Sequence, residues 1–160
     1  TEMIGDKVTI DGEQYNRRIY FNYDKEERNG IEFELNHKFS DKYSGYINYA
    51  WQQGKLTTKD GEENNYDIPK HLLHAGVEYN CGKWSALLDC EYVSERQDPG
   101  NSYDCFGSQE ALFLVNTAFN YEFTKDMTLQ FGINNLFDKV YYCDEPIDDR
   151  SYYVSLRYEF

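Results

Sequence analysis

From Gly30 onward, apolar and polar residues alternate with a period of two, the pattern of strands with one dry face. Seven segments carry it: Ile31–Phe39, Tyr43–Gln52, Leu72–Asn80, Trp84–Tyr92, Leu112–Phe123, Met127–Asn134 and Tyr152–Phe160. They run to roughly eight to twelve residues, about the length a tilted strand needs to cross a bilayer. Upstream the pattern weakens. Arg18–Tyr23 reads as an extension of the strand at Ile31, and Thr1–Ile10 as the end of an eighth.

Taken one parity at a time, the strands separate two kinds of surface. One set runs Ile31, Phe33, Leu35, then Tyr43, Gly45, Ile47, and on in the same way to Tyr158 and Phe160. It comprises 34 positions without a single Asp, Glu, Lys or Arg. At the chain's average composition roughly ten charges would fall there by chance. The opposite parity carries Glu32, Glu34, Lys38, Glu78, Asp89, Glu91, Glu122, Arg157 and Glu159. One face avoids water and the other is wet.

The connections alternate in size. Ser40–Lys42, Cys81–Lys83 and Thr124–Asp126 are short; residues 53–71, 93–111 and 135–151 form long loops that hold Pro69, Pro99 and Pro146. A soluble β-sandwich also alternates hydrophobicity, but it does not predict two strictly alternating loop sizes. A transmembrane barrel does. Phe39, Tyr43, Tyr79, Trp84, Tyr121, Phe123, Tyr158 and Phe160 cluster at the short-turn end of the dry face. Trp51, Tyr92, Phe113 and Tyr152 mark its long-loop end, so the two groups fit the two girdles of a membrane interface.

Composition sharpens this picture. Tyr 16, Phe 10 and Trp 2 bring the aromatic share to 18%, which favours strands. The longest apolar run is Ala111–Val115, against the roughly 20 residues of a spanning helix. A net charge of -13 argues against a nucleic-acid partner. The chain opens Thr1-Glu2-Met3 without a leader pattern, so the expectation is a removed leader or a start partway through a longer product.

Candidate chemistry is sparse. His71 and His74 lie three apart, on opposite faces of a strand, which suits a loop residue and a wet-face residue better than a metal pair. Glu32/Glu34 and Asp89/Glu91 are carboxylate pairs without a nucleophile motif, so a solvated wall is expected, with no enzyme activity, no cofactor and no metal. Lys59-Asp60-Gly61-Glu62-Glu63 lacks calcium-loop spacing. The three long loops, 53–71, 93–111 and 135–151, are the candidate substrate-binding segments, and all are net acidic. Such a mouth repels polyanionic chelates and accepts neutral or cationic ones. The four cysteines lack Cys-x-x-Cys spacing. Cys105 and Cys143, in neighbouring long loops on one oxidising side, are expected to form a disulfide, whereas Cys81 and Cys90 stay apart.

Asn134-Asn135-Leu136-Phe137-Asp138-Lys139-Val140-Tyr141 resembles the Asn-Leu-Phe-Asp-Lys-x-Tyr element before the last strand of TonB-dependent outer-membrane receptors. Arg150-Ser151-Tyr152-Tyr153 through Phe160 resembles their closing strand, and Asn29-Gly30-Ile31-Glu32 the entry to a late strand. Ile68-Pro69-Lys70-His71 with Gly76-Val77-Glu78-Tyr79 is similar to a further late hairpin. The resemblance implies an all-β antiparallel transmembrane barrel, with residues 1–160 supplying about seven or eight C-terminal strands of 22. The plug domain and earlier strands would lie outside this segment. It also implies transport of a scarce metal chelate, of iron-siderophore or cobalamin type, across the bacterial outer membrane. Implied partners are outer-membrane lipid, the small metal-chelate ligand, a TonB energy-coupling protein acting through the plug, and the barrel-assembly machinery, which would read Leu156, Tyr158 and Phe160 of the closing strand. Two alternatives stay open: a self-contained eight-stranded outer-membrane protein with a structural or adhesive role, and a soluble β-sandwich binding module.

Overall fold

The computed structural model describes residues 2–20, 24–58, 61–96, 110–140, 142–143, 145–146 and 149–160. Regular structure among them is entirely β: β1 (Glu2–Ile10), β2 (Glu13–Tyr20), β3 (Lys25–Lys38), β4 (Tyr43–Thr58), β5 (Gly61–Asn64), β6 (His71–Cys81), β7 (Trp84–Val93), β8 (Leu112–Thr124), β9 (Met127–Asn134), β10 (Tyr142–Cys143), β11 (Glu145–Pro146) and β12 (Ser151–Tyr158). The chain divides into two compact units, 1–28 with 54–65, and 29–53 with 66–160.

In the first unit, β1 and β2 pair antiparallel around Asp11-Gly12. Both turn residues take positive φ, 51° and 85°, as a two-residue hairpin turn with the right twist requires. The end of β4 pairs with β5 from Lys55–Asn64 to Thr58–Gly61. Residues 53–64 are therefore largely strand, where the sequence pattern suggested a loop.

The second unit is an antiparallel meander in which the order β12-β9-β8-β7-β6-β4-β3 follows the chain. Short connections are tight. The Ser40 hydroxyl oxygen accepts the amides of Lys42 and Tyr43, each at 3.2 Å, and Gly82 takes φ 62° between β6 and β7. β3 and β12 are the two edges, and the sheet does not close.

What distinguishes this sheet is its uncovered dry face. Ile31 and Val154 are each 70% exposed, Leu156 62% and Leu88 52%. Among the described residues only Leu56, Ile68, Val115 and Ala118 are buried apolar side chains. A soluble sandwich covers such a face with a second sheet. The described residues supply none.

Candidate functional site

The wet face owes its layout to one glycine. Tyr46 on β4, Gly76 on β6, Asp89 on β7 and Asn116 on β8 form one cross-strand row. A Cβ on Gly76 would lie 2.7 Å from the Tyr46 ring. Without it, the ring reclines across β6 instead of standing off the sheet. Its hydroxyl thereby reaches the second strand over and donates to Asp89. Neighbouring strands lie about 4.8 Å apart, so this contact crosses roughly 10 Å of wall.

Two more groups converge there. His74 Nε2 is 2.6 Å from Asp89 Oδ2 and 3.2 Å from the Tyr46 hydroxyl. Asn116 Nδ2 donates to the other carboxylate oxygen at 3.4 Å. The Asp89 side chain is only 14% exposed, so its environment is set by these partners more than by water. Asn48 stands directly opposite His74 in the ladder, and its Oδ1 is enclosed without a hydrogen bond. On β12, Tyr153 lies over Gly132 in the same fashion.

The surrounding wall is acidic. Glu32, Glu34, Asp89 and Glu91 occupy its upper and middle part, with Glu91 opposite His74 in the strand ladder. The wet-face cations of these strands, Lys38 and Arg157, sit near the short turns, where they pair with Asp41 at 2.8 Å and with Glu159. At the height of Asp89 no described cation compensates the carboxylates.

Above the wall the Asn135 turn closes the base of the last long connection. Asn135 adopts φ 51° and Asp138 φ 54°. The Asn135 amide donates to Asn116 Oδ1 at 3.0 Å, joining the turn to the row below. Its side chain accepts from the Lys139 amide at 3.2 Å and donates to the Lys139 carbonyl at 2.9 Å. Asp138 Oδ1 accepts the Arg150 amide at 2.9 Å. The Arg150 guanidinium is held above its ordinary pKa by a hydrogen bond to the Tyr152 side chain, which outweighs desolvation, with the Asp138 charge adding to the rise. In the other unit, the Lys25 ammonium hydrogen-bonds Glu27 and draws its carboxyl below the usual range.

The expected site residues fare unequally. Loop 53–71 is in large part the β4–β5 hairpin. Of loop 93–111, Ser94 is buried and its hydroxyl oxygen accepts the His71 amide at 3.0 Å, and Arg96 donates to the Asp67 carbonyl at 3.2 Å. These bonds tie the bases of two long connections together. Residues 97–109, and with them Cys105, lie outside the described residues, as does the side chain of Cys143, so their disulfide falls there too. Cys81 and Cys90 are unpaired. His71 and His74 do stand on opposite faces, but His71 belongs to β6 and not to a loop, and its Nδ1 is 2.8 Å from the Tyr49 hydroxyl on the dry face. Leu156 and Tyr158 pair with Leu129 and Met127 and are exposed, while Phe160 lies past the end of β12. Among the described residues no three His, Cys, Asp or Glu side chains cluster to hold a metal. No described helix is long and apolar enough to cross a membrane.

Sequence reasoning missed the convergence of Tyr46 and Asn116 on Asp89. The available signal was a glycine on the wet parity, Gly76, placed to face a tyrosine.

A family model described as TonB dependent receptor-like, beta-barrel matches residues 4–136. Among solved structures, the copper transporter OprC aligns at TM-score 0.70 and 20% identity, covering 92% of this chain and 25% of that one. The ferric-catecholate import receptor Fiu from E. coli K12 aligns at 0.69 and 15% identity, over 99% of this chain and 24% of its own. The ferripyoverdine receptor of Pseudomonas aeruginosa, bound to ferripyoverdine, aligns at 0.68 and 18% identity, over 92% and 20%. No curated protein matches. This chain thus spans a fifth to a quarter of the solved chains it resembles.

Proposed function

Because the chain belongs to the TonB-dependent receptor-like β-barrel family, whose members are bacterial outer-membrane proteins, we propose that residues 1–160 form part of the wall and mouth of a receptor that imports a scarce metal chelate. The observation that carries this reading is the pairing of an uncharged, uncovered face with an acidic wet wall. Lipid meets the first, and a water-filled lumen accepts the second. Segments 53–71, 93–111 and 135–151 belong to the ligand mouth, on the rim opposite the tight turns. Their acidity favours a neutral or cationic chelate, of corrinoid or iron-siderophore type, over a polyanionic catecholate. An energy-coupling protein of the TonB type drives release through a plug contributed by the rest of the receptor. Leu156, Tyr158 and Phe160 serve as the assembly signal of the closing strand.

The test uses the complete receptor that carries these residues, expressed in cells lacking their own metal-chelate receptors. Accumulation of labelled chelates of graded charge is measured with and without the coupling protein. Coupling-dependent uptake that favours the neutral or cationic members is expected. Uptake independent of the coupling protein, or preference for the polyanion, refutes the reading.

A further inference from the structure

We propose that Tyr46, His74 and Asp89 together bind a single ferric ion on the lumen wall. Three donors from three adjacent strands meet at one point. His74 Nε2 lies 2.6 Å from Asp89 Oδ2 and 3.2 Å from the Tyr46 hydroxyl, which itself contacts Asp89. A transition metal with bonds of about 2.0–2.1 Å holds adjacent donors about 3 Å apart. The three atoms stand near neighbouring corners of one coordination shell, with the two contacts to Asp89 shorter than that spacing, so the donors must spread slightly to admit the ion.

The chemistry of the donors selects the metal. A phenolate and a carboxylate are hard, anionic oxygen ligands, and imidazole suits iron. No thiol or thioether stands on this part of the wet face to favour a soft ion. Asn116 holds the second oxygen of Asp89 at 3.4 Å, the kind of outer contact that fixes a ligand's orientation. The enclosed, unbonded Oδ1 of Asn48, opposite His74, offers an acceptor to a water on the metal. Glu91 stands across from His74, and no described Lys or Arg at this height opposes a cation. The His74 side chain is half exposed on this face, which leaves a side of the shell open to solvent.

Binding needs no change of oxidation state. The Tyr46 O–H proton leaves to solvent, its hydrogen bond to Asp89 is exchanged for an Fe–O bond, and the carboxylate and imidazole each donate a lone pair. The site goes beyond chelate transport, since it concerns the bare ion on the wall. It rests on that reading only in taking the wet face as lumen.

The whole receptor, purified in detergent, is titrated with ferric nitrilotriacetate. A visible phenolate-to-iron charge-transfer band that saturates at one iron per chain is expected. Tyr46→Phe should abolish the band while leaving heat-modifiable gel migration unchanged. His74→Ala and Asp89→Asn should each weaken iron binding at least tenfold. Absence of the band, or its persistence in Tyr46→Phe, shows that the three groups only brace the wall, and overturns the site. Chelate uptake by the wild-type receptor is measured in parallel. Uptake without the band sinks the iron site alone, and the band without uptake sinks the transport reading alone.

Discussion

Leu87 and Leu88 are consecutive, share a strand and a depth, and face opposite ways. Leu88 belongs to the dry face and is paired with Val77 and Thr117; Leu87 is paired with Glu78 and Ala118 on the wet face. Trp84 and Tyr92, the aromatic ends of β7, lie four residues on either side of Leu88. At about 3.3 Å per residue and a tilt near 40°, that is about 10 Å of depth each way, which puts Leu88 near the middle of a ~25 Å apolar band. Arginine at the midplane of a barrel's lipid face costs about 2–4 kcal/mol. Leu88→Arg should therefore lower the folding equilibrium constant roughly 30- to 700-fold. Leu87→Arg places the same cation in water beside Glu78 and should change stability by about 1 kcal/mol or less. Urea unfolding of the whole receptor in zwitterionic bilayers, followed by tryptophan fluorescence, measures both. Equal destabilisation by the two substitutions would refute the assignment of faces.

Two further substitutions probe the wall and the rim. Gly132→Ala puts a methyl group into the Tyr153 ring and should destabilise by about 1–3 kcal/mol, a penalty that disappears when Tyr153→Ala is already present. Thermal loss of heat-modifiable migration reads it; an undiminished penalty in the double variant sinks the argument. Asn135→Ala removes two side-chain hydrogen bonds and leaves a β-carbon at positive φ, together about 2–4 kcal/mol, whereas Asn135→Gly keeps the backbone freedom and should lose roughly half of that. Amide exchange should rise across 139–150 in both variants and most in the alanine one; unchanged exchange refutes the clamp.

Legibility of the fold followed its solvent. Between the interfaces each strand has one dry and one wet face, so alternation is strong, and Met127–Asn134 emerges with both ends as expected. Beyond Gln53 one face of β4 is still buried, but only Gly54 and Leu56 carry it, too short a run of alternation to read, so a strand that continues to Thr58 reads as loop. The strand expected over Thr1–Ile10 is β1, whereas Arg18–Tyr20, expected to extend the strand at Ile31, belong to a separate β2 paired with β1, although Asp11-Gly12 is a recognisable hairpin turn. The site was less legible because its residues join across strands. Tyr46 and Asp89 are 43 positions apart and lie two strands from each other, so only the pairing register with Gly76 brings them together. Asn135 shows the opposite case. Its motif was visible, but its physical work, holding a turn with its own side chain, required the geometry.

That turn also bears on how such a receptor can diversify. Asn135, Asp138 and Arg150 fasten both ends of the segment between 139 and 150 to the sheet by bonds that do not involve the residues in between. The intervening stretch can then lengthen, shorten or change sequence without moving β9 or β12, since loop closure depends only weakly on length. Lineages could exchange this piece as a cassette, with barrel stability insulated from the change. Specificity and architecture would then drift at separate rates, divided at one asparagine.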